Sequence, residues 1–161
     1  MMNRTLIAMT KEKPYHEPTE AERVEASALH KHAMAVRLKK DDENFEKERK
    51  RKEAEQKAHF EFLSRVFTEA DRHQITERTG EAVHAGEFEI EILRFPAAYL
   101  TDGGRAINNA DPHWPETLTG YAASMYEAYA EISKPLGYKL AARVLDYPNG
   151  MIGDIGFFLE W

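Results

Sequence analysis

Three observations predict an α+β fold. No proline or glycine occurs from Thr19 to Thr79, acids and apolar residues alternate over Glu87–Ile92, and two further β-type segments follow Tyr138. The expected order is a long charged helical region, in one or two segments, then a strand-helix-strand-strand module with a small antiparallel or mixed sheet.

Residues 1–18 lack periodicity and contain Pro14 and Pro18, so they read as a flexible arm. Thr19 followed by Glu22 has capping-box spacing, which places a helix start there. The helical region spans residues 19–80. Its middle, residues 39–57, holds 8 basic and 7 acidic residues and one aromatic, Phe45. Glu46 to Lys50, Glu48 to Lys52 and Glu53 to Lys57 are Glu-first i,i+4 pairs, each worth about 0.2–0.5 kcal/mol in an isolated helix. That composition describes a solvated helix. Val24, Ala28, Ala35 and Leu38 form a thin apolar stripe before it, suited to a partner or to coiled-coil pairing. Phe60, Leu63, Val66, Phe67 and Ala70 form a stronger stripe after it, expected to pack on the C-terminal module.

The module spans residues 86–161. Glu87, Glu89 and Glu91 alternate with Phe88, Ile90 and Ile92, predicting a strand with one buried face and one carboxylate row. Pro115 is placed as a first-turn proline, and Leu118, Tyr121, Ala122, Met125, Tyr129 and Ile132 recur at the steps of one buried helical face. Lys134-Pro135-Leu136-Gly137 ends that helix of about 20 residues. Tyr138–Tyr147 and Asp154–Trp161 read as a hairpin, joined by a loop with Pro148, Gly150 and Gly153.

The chain has 161 residues, a formal net charge of -6 and no cysteine, which excludes disulfides, thiolate catalysis and cysteine-ligated zinc. Residues 86–161 carry 11 acids and 5 bases; 28 − 11 and 22 − 5 leave 17 of each before them, so the whole imbalance lies in the module. Apolar runs as short as Leu6-Ile7-Ala8-Met9 span no membrane, and a soluble, untargeted, cytoplasmic protein is the expectation. The basic cluster Arg49-Lys50-Arg51-Lys52 is flanked by acids at 46, 48, 53 and 55, which cancels the potential that phosphate binding needs; no nucleic-acid partner is expected.

The candidate ligand site is the turn-rich loop from Asp102 to Trp114. Gly103 and Gly104 let backbone amides converge on an anion, Arg105 adds a bidentate cation, and Asp102, Asp111 and His113 are candidate acids or bases. The loop matches no phosphate-binding motif, so no catalytic residue is assigned. Glu69, His73 and Glu77 share a helical face, but one helix does not close a metal site, and neither a metal nor a cofactor is expected. The leading expectation is a non-enzymatic, homo-oligomeric or partner-binding protein; the alternative is an anionic-ligand binder or enzyme using the Asp102–Trp114 loop.

Overall fold

Helix formation begins directly after Thr19, whose carbonyl accepts from the Arg23 amide at 2.9 Å. The computed structural model describes Glu17 and residues 19–161, except for the side chains of Glu22 and Val24. The predicted arm over residues 1–18 and the Glu22 half of the predicted capping box therefore lie outside the described residues, Glu17 apart. The chain divides into two compact units, residues 1–51 and residues 52–161.

Helix α1, Glu20–Ser64, has a first part that belongs to unit one and a last part that belongs to unit two. In unit one, Leu29, Met34, Val36, Leu38 and Phe45 are all exposed. Ion pairs tie successive turns, with Arg49 to Glu46 at 2.7 Å and Arg51 to Glu48 at 3.7 Å. Arg49 holds the Glu46 carboxyl below its ordinary pKa, first by its hydrogen bond and then by its charge.

Unit two is an α+β module. The helical region breaks at residues 65–68, with neither glycine nor proline to mark the place. The Ser64 hydroxyl donates to the Phe60 carbonyl at 2.6 Å, a competition with backbone bonding that suits a helix end. Four residues later Thr68 caps α2, Glu69–His84, in a full capping box: the Asp71 amide donates to the Thr68 hydroxyl, and the Thr68 amide donates to the Asp71 carboxylate at 2.9 Å. The break rotates the predicted stripe. Phe60, Leu63 and Val66 are exposed, and the residues that pack on the core are Phe62, Phe67 and Ile75. A second helix restarting at its own cap need not continue the phase of the first.

Strand β1 is Glu89–Pro96, β2 is Lys139–Val144 and β3 is Asp154–Glu160. The sheet order is β1-β3-β2, with both pairings antiparallel. The last strand is thus the central one. Its alternation is as predicted: Ile155, Phe157 and Leu159 are buried on one face, and Phe158 and Glu160 take the other. In β1 the register shifts between Glu91 and Leu93, so Phe95, which lies beyond the predicted strand end, becomes the buried residue, while Phe88 is exposed.

The predicted C-terminal helix is shorter and less regular than expected. Pro115 lies in a 3₁₀ turn, Trp114–Thr117; α4 then runs Gly120–Ala128 after a short helix α3 at Arg105–Asn108. A π turn at Tyr129–Ser133 and a 3₁₀ turn at Lys134–Leu136 carry the chain to Gly137. Tyr121, Ala122 and Met125 are buried against Phe95, Ile155 and Phe157 as the periodicity implies. Gly120, at φ +50°, sits where α4 meets the end of α1; a Cβ there would lie 2.5 Å from the Phe62 carbonyl oxygen.

Arg65 joins these helices, its guanidinium 4.0 Å from the Tyr121 ring centroid and 2.6 Å from the Asp71 carboxylate. Burial acts against the Asp71 carboxylate, but hydrogen bonds from the Thr68 hydroxyl and amide and from Arg65 outweigh it, leaving its pKa below the ordinary value. Burial pushes the Tyr121 phenol up to about 12.

Candidate functional site

The Asp102–Trp114 loop is built from local caps. Asp102 accepts from the Gly104 amide at 2.9 Å and from the Ala106 amide at 2.6 Å, which fixes the start of α3. Gly104 is buried in left-handed conformation, and a Cβ on it would press on Ala97, Ile152 and Ile155. Asp111 accepts from the His113 amide at 2.9 Å, and His113 Nδ1 lies 3.1 Å from Glu116. Arg105, Asp111 and His113 are exposed. No hydrogen bond or ion pair joins the side chains of Asp102, Arg105, Asp111 and His113 to one another among the described residues. The glycines serve the turn and its packing, and the two aspartates hold backbone.

Two of the three carboxylates of the predicted row, Glu89 and Glu91, are paired with arginines. Arg143 donates to Glu89 and Glu160, and Arg94 donates to Glu91 through Nε and Nη2, each at 3.2 Å. His73 Nδ1 lies 3.6 Å from Glu77 on the exposed surface of α2, and the described residues contain no cluster of three or more potential metal ligands. Nor is any described helix long and apolar enough to cross a membrane.

A different place has the form of a binding site. Helix α2, the π turn and the core face of the sheet leave between them a cavity of about 490 Å³. Phe67, Ile75, Ile92, Met125, Ile132 and Leu159 supply apolar wall, and Arg72, Thr76, Thr79, His84 and Ser133 supply the polar groups. Such a volume lies within the ~300–1,000 Å³ of small-molecule sites. The stripe read in the sequence as one buried face divides here: Tyr121 and Ala122 stay in the core, Met125 touches both, and Tyr129 and Ile132 reach the cavity through the π turn. π turns within α-helices are frequent at functional sites.

Sequence reasoning missed this site because its walls look like ordinary core residues. One signal was available. Gly80 lies inside α2, and its missing Cβ would meet nothing within 4 Å. Ending the helical region at residue 80 left out that α2 continues to His84, with Gly80 in its interior beside open space.

Set beside known proteins, the chain matches no family model, no curated protein and no solved structure.

Proposed function

We propose that the chain is a non-enzymatic interaction protein that works as a homo-oligomer, with the N-terminal part of α1 as its contact surface. The observation that carries this reading is a self-complementary seam. Ala28, Lys31, Ala35, Leu38, Asp42 and Phe45 follow one another in alternating steps of three and four residues, the spacing of one helix-pairing face. Leu38 and Phe45 on it are exposed by 60% and 69%. Laid antiparallel on a second copy, the seam pairs Ala28 with Phe45, Lys31 with Asp42, and Ala35 with Leu38, each pair occurring twice. Every large side chain meets a small one, and every charge on the seam meets its opposite. Parallel pairing would instead stack Lys31 on Lys31 and Asp42 on Asp42.

Cysteine crosslinking tests the reading, since the native chain has no cysteine to interfere. Oxidising a mixture of Ala28→Cys and Phe45→Cys proteins is expected to give a mixed dimer, whereas neither variant alone crosslinks. Self-crosslinking of Phe45→Cys alone would indicate parallel pairing. A monomer in sedimentation at micromolar concentration would remove the reading.

A further inference from the structure

We infer that the cavity of unit two binds a monoanionic amphiphile, an apolar chain or ring system bearing one carboxylate, with the headgroup at Arg72. This is independent of self-association through α1.

The argument is an inventory of what the cavity offers. Its wall is mostly apolar, so the body of the ligand must be apolar. Most polar protons on the lining are already committed to backbone. The Thr76 hydroxyl donates to the Arg72 carbonyl at 2.9 Å, the Thr79 hydroxyl to the Ile75 carbonyl at 2.8 Å, and the Tyr129 phenol to the Tyr138 carbonyl at 3.1 Å. His84 Nδ1 lies 2.7 Å from the Gly80 carbonyl, which can only accept, so that nitrogen carries and donates the proton. Of the lining residues Arg72 carries the permanent positive charge, while the Ser133 and Tyr138 hydroxyls are neutral donors. The ion pair of Arg72 with Glu69, at 3.2 Å, is on the surface, where Glu69 is 84% exposed, and such a pair is readily exchanged. No carboxylate lines the cavity, although the chain carries 28 acidic residues and a net charge of -6. An anion therefore meets one guanidinium, where it would take the place of the exposed Glu69 carboxylate, and no carboxylate among the other lining residues.

Gly80, also on the lining, is a second observation. A glycine in a helix interior is unfavourable relative to alanine, and neither a positive φ nor a close backbone approach accounts for this one, because a Cβ there would touch nothing within 4 Å. What its small size preserves is cavity volume.

The test uses the full chain, with laurate and 2-naphthoate as probes and dodecanol and 2-naphthylmethanol as their uncharged counterparts, below micellar concentrations, read by calorimetry and thermal shift. At least one acid is expected to bind, with its alcohol at least tenfold weaker. Arg72→Gln should bring that acid down to the affinity of its alcohol, with the melting temperature of the free protein unchanged. Gly80→Phe should remove binding of acid and alcohol alike, and Gly80→Ala, which leaves most of the volume, should bind and melt higher than the native chain. Failure of both acids to bind overturns the proposal. So does equal binding of acid and alcohol, or an acid affinity that Arg72→Gln leaves intact. Because Arg72 is on the surface, that variant keeps the test decisive even if Gly80→Phe does not fold.

Discussion

Arg143 holds both carboxylate oxygens of Glu89, at 2.7 and 2.6 Å, by reaching from β2 across the central strand to β1. The reach is diagonal: Gly156 is the residue opposite Arg143 and Glu160 the residue opposite Glu89, and the guanidinium lies over Phe158 between them. The same guanidinium bonds Glu160 at 2.7 Å and lies 4.4 Å from the Phe158 ring centroid. One side chain thus ties all three strands on the solvent face. Its hydrogen bonds, and secondarily its charge, hold the Glu89 carboxyl below the ordinary range. A lowered folded-state pKa adds stability above the unfolded value, about 4.3, that is lost as the pH falls through the folded value. Arg143→Met keeps apolar contact with Phe158 but not the ion pairs. Thermal melts should place it below the native protein at pH 7, with the gap closing in acid; a constant gap down to pH 2 would assign the effect to packing.

The junction of α1, α2 and α4 responds to pH at both extremes. Asp71 has a lowered pKa, so its contribution is present above the unfolded value and disappears in acid. Tyr121 is the opposite case: raised to about 12, it stabilises below the unfolded value near 10 and loses that contribution as the pH rises through 12. Ultraviolet titration should show one tyrosine ionising late, and Tyr121→Phe should remove that step. Thr68→Ala, which deletes the cap of α2, should cost about 1 kcal/mol in denaturant unfolding.

Two phenylalanines in one turn of α1 should behave very differently. Phe62 packs with Phe95, Tyr99 and Tyr121 at ring-centroid separations of 5.3, 5.0 and 6.4 Å, whereas Phe60 is 72% exposed. Phe62→Ala is expected to destabilise by roughly 2 kcal/mol, and Phe60→Ala by less than about 0.5 kcal/mol. Equal losses in chemical denaturation would show that the turn is rotated from the position described.

These two residues also show where the sequence was legible. Periodicity identified Phe60 and Leu63 as the packing face because it assumed one unbroken helix through residue 70. The break depends on Thr68 and Asp71 capping a new helix, a local signal with the same logic as Thr19 and Glu22 but hidden inside a helical run. Strand alternation in β3 was read correctly because a period of two tolerates no slip without exposing Phe157. The bulge in β1 was invisible, since it is set by pairing with β3. The capping role of Asp102, whose carboxylate accepts from amides two and four residues on, was not read in the loop, and the cavity depends on elements far apart in the chain.

The charged middle of α1 should contribute little to folding. Its ion pairs are solvent-exposed, with Arg49 and Glu46 side chains 53% and 51% accessible, and pairs of this kind are worth about 0–1 kcal/mol. Replacing Arg49, Lys50, Arg51 and Lys52 together by alanine should leave the main melting transition within a few degrees of the native value. A large drop would mean that this segment supports the core.

Truncation of the last five residues tests the sheet order most directly. Phe157 is fully buried and Leu159 is 6% exposed, and β3 supplies the hydrogen bonds of both β1 and β2. Deleting Phe157–Trp161 removes most of the central strand, leaving two strands that do not pair with each other. The loss includes two core side chains worth about 1.5–3 kcal/mol each when fully buried, in addition to the ladder bonds, against a total stability of about 5–15 kcal/mol for a domain. The truncated protein is therefore expected to lack a cooperative melting transition in unit two and to lose its near-ultraviolet circular dichroism. If β3 were an edge strand, β1 and β2 could remain in a sheet and a weakened transition would survive. A cooperative melt of the truncated chain would thus contradict the β1-β3-β2 order itself.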